Sequence, residues 1–283
     1  VVEVTGREPT DGTVTAIASG DHHEITTLRR DVETDGRRAT IAFADDWRED
    51  AARRDFTINA LYADPLTGAV DDWFGGLADL QAGCVRFIGD AATRIAEDSL
   101  RILRYFRFLA WYGKGEPDAA ALAACEAGRE LMSNLAAERV AKELLKLLAA
   151  YDPRPATALM AKTGVLTRLL PSATDLTAFN QLVEVETEQL FTCDPLLRLA
   201  TLLPGNEVGV GKAAEALRLS NDQRDRLVAA MGKTPRITSW MSPRESRRAV
   251  YRIGVQAFSD RIKLAWSRSE RSAATHQWRG LLA

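Results

Sequence analysis

Hydrophobic and polar positions follow two different patterns along the chain, and the change falls near residue 90. Before it, short β-type runs alternate with turn residues: Thr13-Val14-Thr15-Ala16-Ile17-Ala18, then Ser19-Gly20-Asp21, then Glu24-Ile25-Thr26-Thr27-Leu28. That order predicts a hairpin or two adjacent strands. Residues 29–50 are almost entirely charged or small and contain Asp35-Gly36, so a mobile loop is expected there. A helix is predicted over 47–61, and Thr67-Gly68 marks a further turn. From 91 onward apolar positions recur at helical spacing. They predict helices over 91–112, 118–132, 136–150, 154–163, 175–190, 195–203, 211–218, 221–231, 243–252 and 256–267. The breakers between them are Gly113, Asp152-Pro153, Pro171, Asp194-Pro195, Pro204-Gly205, Pro235 and Pro243. The fold class implied is α+β, a small sheet-bearing front followed by a helical body.

Length and composition narrow this only a little. At 283 residues the chain has room for about two domains. With 46% hydrophobic and 27% charged residues it reads as an ordinary globular protein. No apolar run reaches the ~18 residues of a membrane-spanning helix. Cys84, Cys125 and Cys193 form no CxxC pair, which argues against a disulfide framework or a cysteine zinc site and makes the cytosol the expected location. The chain opens on Val1 with no basic or apolar leader after it, and is expected to begin in mid-protein.

Charge adds more, because the formal net charge of −2 hides a gradient. Residues 1–110 carry 13 arginines and no lysine against 20 carboxylates, a balance of −7. Residues 111–219 stand at −3 and residues 220–283 at +8. A basic last quarter suits a polyanion, although a solvated helical surface explains it equally well. Arginine as the front end's only cation suits geometry-demanding contacts with phosphates or base edges.

Three clusters carry candidate chemistry. Arg53-Arg54-Asp55-Phe56-Thr57-Ile58-Asn59-Ala60, taken as helical, puts Asp55 and Asn59 on one face and Arg54 on the next. Such a surface offers donors and acceptors to a ribose and its phosphates. Asp72-Trp73-Phe74-Gly75-Gly76-Leu77 places a deformable glycine pair where sheet gives way to helix. Finally, Asp98, Arg101, Arg104 and Arg107 recur every three residues beside an apolar stripe of Ile95, Ile102, Phe106 and Leu109. Asp98 and Arg101 together present an acceptor and a donor fork, enough to pair with the edge of a base, and three successive arginines call for a compensating anion.

In this order and spacing the clusters resemble the class II nucleotidyltransferases, the family of tRNA CCA-adding enzymes and bacterial poly(A) polymerases. The resemblance runs from about Gly12 to Leu148. It includes Asp11-Gly12-Thr13-Val14-Thr15, Glu24-Ile25-Thr26-Thr27-Leu28-Arg29-Arg30-Asp31, the three clusters, and Glu138-Arg139-Val140-Ala141-Lys142-Glu143, which is similar to the family's helix-stabilising motif. Asp11 stands where the family commonly has His. Beyond about residue 150 it thins to helical character and the segment Asp194-Pro195-Leu196-Leu197-Arg198-Leu199-Ala200.

The resemblance implies a head of residues 1–82, a nucleotide-reading neck of 83–150 and an RNA-binding body and tail of 151–283. It implies addition of CMP and AMP to the tRNA 3′ end from CTP and ATP without a nucleic-acid template. Arg54 would hold the ribose, with Asp55 and Asn59 beside it in the nucleotide site. Asp98 and Arg101 would pair with the base, Arg104 and Arg107 would contact phosphates or tune the site, and Gly75 and Gly76 would form the hinge. Glu24 matches the place of the family's third acidic residue. Mg²⁺ would be held mainly by an Asp-x-Asp pair expected upstream of Val1. Asp31, Glu33 and Asp35 have suitable chemistry but fall in the expected loop, so residues 1–283 alone are expected to be inactive. Three alternatives stay open: a poly(A) polymerase or A-adding enzyme, a non-catalytic RNA-binding module, and a helical interaction scaffold.

Overall fold

The computed structural model describes residues 3–5, 13–18, 21–35, 38–269 and 275–282. The chain forms two compact units, Val1–Asp98 and Ser99–Ala283. Residues 83–98 therefore pack with the first unit, beyond the boundary expected at 82. Residues 99–283 form one unit with no division at 150.

In the first unit the expected hairpin is present. Strand Thr13–Ala18 pairs antiparallel with Asp21–Thr26 and, on its other side, with Glu3–Thr5. The loop expected over 29–50 is instead a second ribbon, Arg29–Asp35 against Arg38–Phe43, with a register irregularity between Asp31 and Glu33. Its sequence explains the change. Asp35-Gly36 is a hairpin-turn pair, and Thr40-Ile41-Ala42-Phe43 is a β-type run that the preceding charges obscured.

The helix expected over 47–61 is also corrected. It spans only Trp47–Ala52, with the Asp46 side chain capping its start. The chain then turns, and Thr57–Asn59 is a short 3₁₀ turn. Tertiary pairing overrides the helical pattern. Phe56 forms a β-bridge with Phe87, their rings 4.9 Å apart, and Thr57 N donates to Arg86 O while Ile88 N donates to Asp55 O. Ala51, Ala60 and Ile88 make a small core with Tyr62, Trp73 and Phe74 against it.

Every regular element among the described residues of the second unit is a helix. Helix starts coincide with side-chain caps: Asp118, Asp194, Asn206, and full capping boxes at Ser220 and Ser242. Helix Asn221–Met231 has the expected bounds. Residues 118–132 divide into Ala119–Gly128 and a 3₁₀ segment, Arg129–Asn134. The two helices expected over 243–267 run as Pro243–Trp266, broken where Gly254 takes φ 81°. Helices Gly76–Ala82, Val165–Leu169 and Thr275–Leu282 were not expected.

At the centre of this unit lies a buried ion pair. Arg198 Nε donates to Glu186 Oε2 at 2.6 Å, with both side chains 1% exposed. The rest of the Arg198 guanidinium donates to the carbonyls of Leu148, Ala150 and Tyr151. These lie at the end of helix Ala137–Leu148 and just beyond it. One guanidinium thus satisfies carbonyls that a helix terminus leaves open. Burial outweighs Arg198 and holds the Glu186 carboxyl above its ordinary value.

Candidate functional site

The first unit organises its candidate residues around Asp50, which the sequence reading did not single out. Asp50 is 2% exposed and ends up facing three side chains. Arg53 donates from Nε and Nη2 at 2.9 and 2.7 Å, and Arg54 from Nη2 at 3.2 Å. The Tyr62 hydroxyl donates to Oδ2, and the backbone N of Arg29 to Oδ1 at 3.0 Å. Burial alone would raise the Asp50 carboxyl. The hydrogen bonds from Tyr62, Arg53 and Arg29 outweigh it and hold the group at about 2, so Asp50 is an anion at neutral pH.

Arg54 is thereby aimed from two sides. Its Nη2 also meets the Tyr62 hydroxyl at 3.3 Å, and its guanidinium lies 5.7 Å from the Tyr62 ring centre. Burial pulls its pKa down, but Tyr62 and Asp50 more than reverse this and leave it raised. The side chain keeps 39% of its surface exposed, and its buried Nε has no protein hydrogen-bond acceptor. Trp47 and Trp73 stand edge-on to Tyr62 at 5.2 and 5.8 Å, so the arginine sits beside an aromatic wall.

Asp55 and Asn59 do come together, though not on a helix face. Asp55 is buried, and its Oδ1 accepts from its neighbour's backbone, Phe56 N, and from Asn59 Nδ2 at 2.9 Å. Both therefore shape the turn that presents Arg54. The buried Thr57 hydroxyl donates to Asp79 Oδ2 at 2.7 Å, tying that turn to helix Gly76–Ala82.

The glycine pair has two distinct roles. Gly75 takes φ 76°, a left-handed conformation suited to glycine. Gly76 packs so closely that a Cβ there would lie 2.2 Å from Thr57 O. Between them the Asp72 carboxylate accepts from the backbone N of Phe74, Gly76 and Leu77, which caps the helix. Glu24 is exposed on strand Asp21–Thr26, opposite Thr15. Asp31, Glu33 and Asp35 lie on strand Arg29–Asp35.

The helix expected over 91–112 is two helices. Ala91–Glu97 ends at Asp98, which is extended at φ −150°, and Leu100–Tyr112 follows. Asp98 is thus half-buried at a helix end and not on the arginine helix. Asp and Ser compete with helical backbone bonding through their own side chains, so Asp98-Ser99 is a natural break.

In the second unit, helix Leu100–Tyr112 buries Ile102, Leu103, Phe106 and Phe108 and carries the three arginines. Arg101 and Arg104 are half-buried. Arg107 is balanced by a protein carboxylate. Its Nε lies 2.6 Å from Glu143 Oε2, with side chains 16% and 7% exposed, and its guanidinium stacks 4.5 Å from the Phe108 ring centre. Glu143 ends the segment similar to the family's helix-stabilising motif. No local signal links it to Arg107, thirty-six residues away.

The first unit thus carries a sheet and an arginine locked beside an aromatic wall, and the second is led by an arginine helix. The model described as the poly A polymerase head domain matches residues 2–86. That described as "Probable RNA and SrmB- binding site of polymerase A" matches residues 116–176. The mouse (Mus musculus) protein named CCA tRNA nucleotidyltransferase 1, mitochondrial, is 37% identical over 220 residues, covering 76% of this chain and 49% of its own. The CCA-adding enzyme of Lactococcus lactis subsp. lactis (strain IL1403) is 32% identical over 262 residues, covering 90% of this chain and 64% of its own. The Bacillus stearothermophilus CCA-adding enzyme in complex with CTP shares the fold, with a TM-score of 0.70 at 21% identity over 99% of this chain and 67% of that one. The chain belongs to the class II nucleotidyltransferase family of CCA-adding enzymes and poly(A) polymerases. It spans about half the length of the mouse relative and under two thirds of the Lactococcus one.

Proposed function

We propose that the chain serves template-independent addition of CMP and AMP to the tRNA 3′ end. The observation that carries this is the Lactococcus match, which runs over 90% of the chain to a protein named for CCA addition. Solved neighbours are titled as complexes with CTP, with ATP and with tRNA, and lend support through the shared fold. These relatives favour CCA addition over poly(A) synthesis. The reaction is attack of the RNA 3′-hydroxyl on the α-phosphate of the incoming nucleotide, with release of pyrophosphate.

Arg54 holds the ribose and adjoining phosphate, because Asp50 and Tyr62 fix one side of its guanidinium while 39% of the side chain stays exposed. Arg101 contacts the base from helix Leu100–Tyr112. Arg104 contacts phosphate, and Arg107, tied to Glu143, holds the helix that presents the other two. Gly75 and Gly76 lie within the first unit and shape the corner that leads into helix Gly76–Ala82. Mg²⁺ supplies charge neutralisation at the phosphates in this chemistry. Among the described residues no three His, Cys, Asp or Glu side chains converge, and Glu24 offers a single exposed carboxylate. The described residues do not by themselves fit a Mg²⁺ centre. No helix among the described residues is long and apolar enough to cross a membrane. Cys84, Cys125 and Cys193 are free thiols, which supports a reducing compartment such as the cytosol.

The test uses the full-length protein that contains this chain and a tRNA transcript lacking its terminal CCA. Labelled CTP and ATP are expected to extend it by three nucleotides and stop. Extension by A alone, or a growing A ladder, refutes the reading.

A further inference from the structure

The basic last quarter contains a groove that the nucleotide site does not use. Trp240 is 74% exposed in a segment between two helices, an unusual placement for the largest apolar side chain. It lines a groove of about 400 Å³ together with Arg236, Arg248 and Arg252. Arg248 and Arg252 are one helical turn apart on Pro243–Trp266 and share a face. All three arginines are exposed, and the lining carboxylate, Glu245, accepts hydrogen bonds from Ser242 in the helix cap. Arg236 also lines a neighbouring cavity of about 330 Å³ whose further cations are Lys233, Arg261 and Arg268. Arg261 is committed internally to the carbonyls of Ala229 and Thr234.

An exposed indole that shares a groove with three arginines matches the chemistry of an unstacked nucleobase with its flanking phosphates. We propose that this groove is a base-stacking subsite for RNA, with Trp240 the platform and Arg236, Arg248 and Arg252 the phosphate contacts. The proposal rests on the tRNA reading above and adds where, and through which chemistry, the last quarter grips the RNA. Charge complementarity favours RNA over a protein partner. Residues 220–283 carry +8, and the groove holds three arginines against the single carboxylate of Glu245.

The test is filter binding of a tRNA transcript lacking its CCA end to the full chain across a salt series. W240A is expected to weaken binding about tenfold, within the range for removing a base-stacking aromatic. W240F is expected to restore most of it. R248Q with R252Q is expected to shallow the slope of log affinity against log salt by about one to two. W240A binding as tightly as the wild type, with the double arginine variant keeping the wild-type slope, overturns this subsite alone. A wild-type chain that binds no tRNA overturns the subsite and the tRNA reading together. Because Trp240 is so exposed, W240A is expected to melt with the wild type. If it does not, the salt slope of the arginine variant decides.

Discussion

Replacing Asp50 by Asn keeps the side-chain volume and removes the charge on which Arg53, Arg54 and Tyr62 converge. The structure sets the size of the effect. The Asp50 carboxyl sits at about 2 against an ordinary 3.8, a difference worth about 2 kcal/mol at roughly 1.4 kcal/mol per pH unit. Because the folded-state value is depressed, that stability is fully present above about pH 4 and is lost as pH falls through 2. Wild type and D50N are therefore expected to differ by about 2 kcal/mol at pH 7 and by about half as much at pH 3. Urea unfolding followed by circular dichroism, repeated from pH 7 to pH 3, measures the gap. A gap that stays constant with pH, or a D50N chain as stable as the wild type at pH 7, refutes the reasoning. The same variant loosens Arg54, so its affinity for CTP is expected to fall even at temperatures where it stays folded.

Other substitutions separate scaffold from reader. Arg101→Ala is expected to scramble selection between CTP and ATP, read by competition of the two nucleotides in the extension assay, whereas Arg107→Ala leaves Glu143 buried without its partner and is expected to lower stability by about 2–4 kcal/mol, read by thermal denaturation. Gly76→Ala forces a Cβ against the Thr57 carbonyl and is expected to cost about 1–3 kcal/mol, while Gly75→Ala meets no atom and is expected to cost about 1 kcal/mol through its left-handed backbone; urea midpoints distinguish the two. Arg198→Ala strips the partner from a buried carboxylate and is expected to destabilise the helical unit by about 3–5 kcal/mol, measured by urea denaturation.

Helix positions in the second unit were legible because their signals are local. Ser220 and Gln223 announce the start of Asn221–Met231 within four residues, and both halves of the cap are formed. The failures share a physical origin in distant pairing. Residues 47–61 carry helical spacing, yet Phe56 is drawn into a bridge with Phe87 and the helix stops at Ala52. The charges of 29–39 masked a ribbon that a hairpin pair and one β-type run were enough to suggest. At the site, Arg54 was visible from its motif. Asp50, four residues before it, could have been found from that spacing alone. Glu143 could not, since its partner lies thirty-six residues away. Asp98 was placed on the arginine helix because nothing apolar interrupts the stripe there, and only its own side-chain chemistry hints at the break.

Arg198 touches no candidate nucleotide contact, yet it clamps the end of the helix whose middle supplies Glu143 to Arg107. A mutational screen scored on tRNA product alone would rank it with the reading arginines. Measuring how much folded protein each variant yields would move it to a separate class, that of residues whose loss silences the enzyme by letting go of its frame.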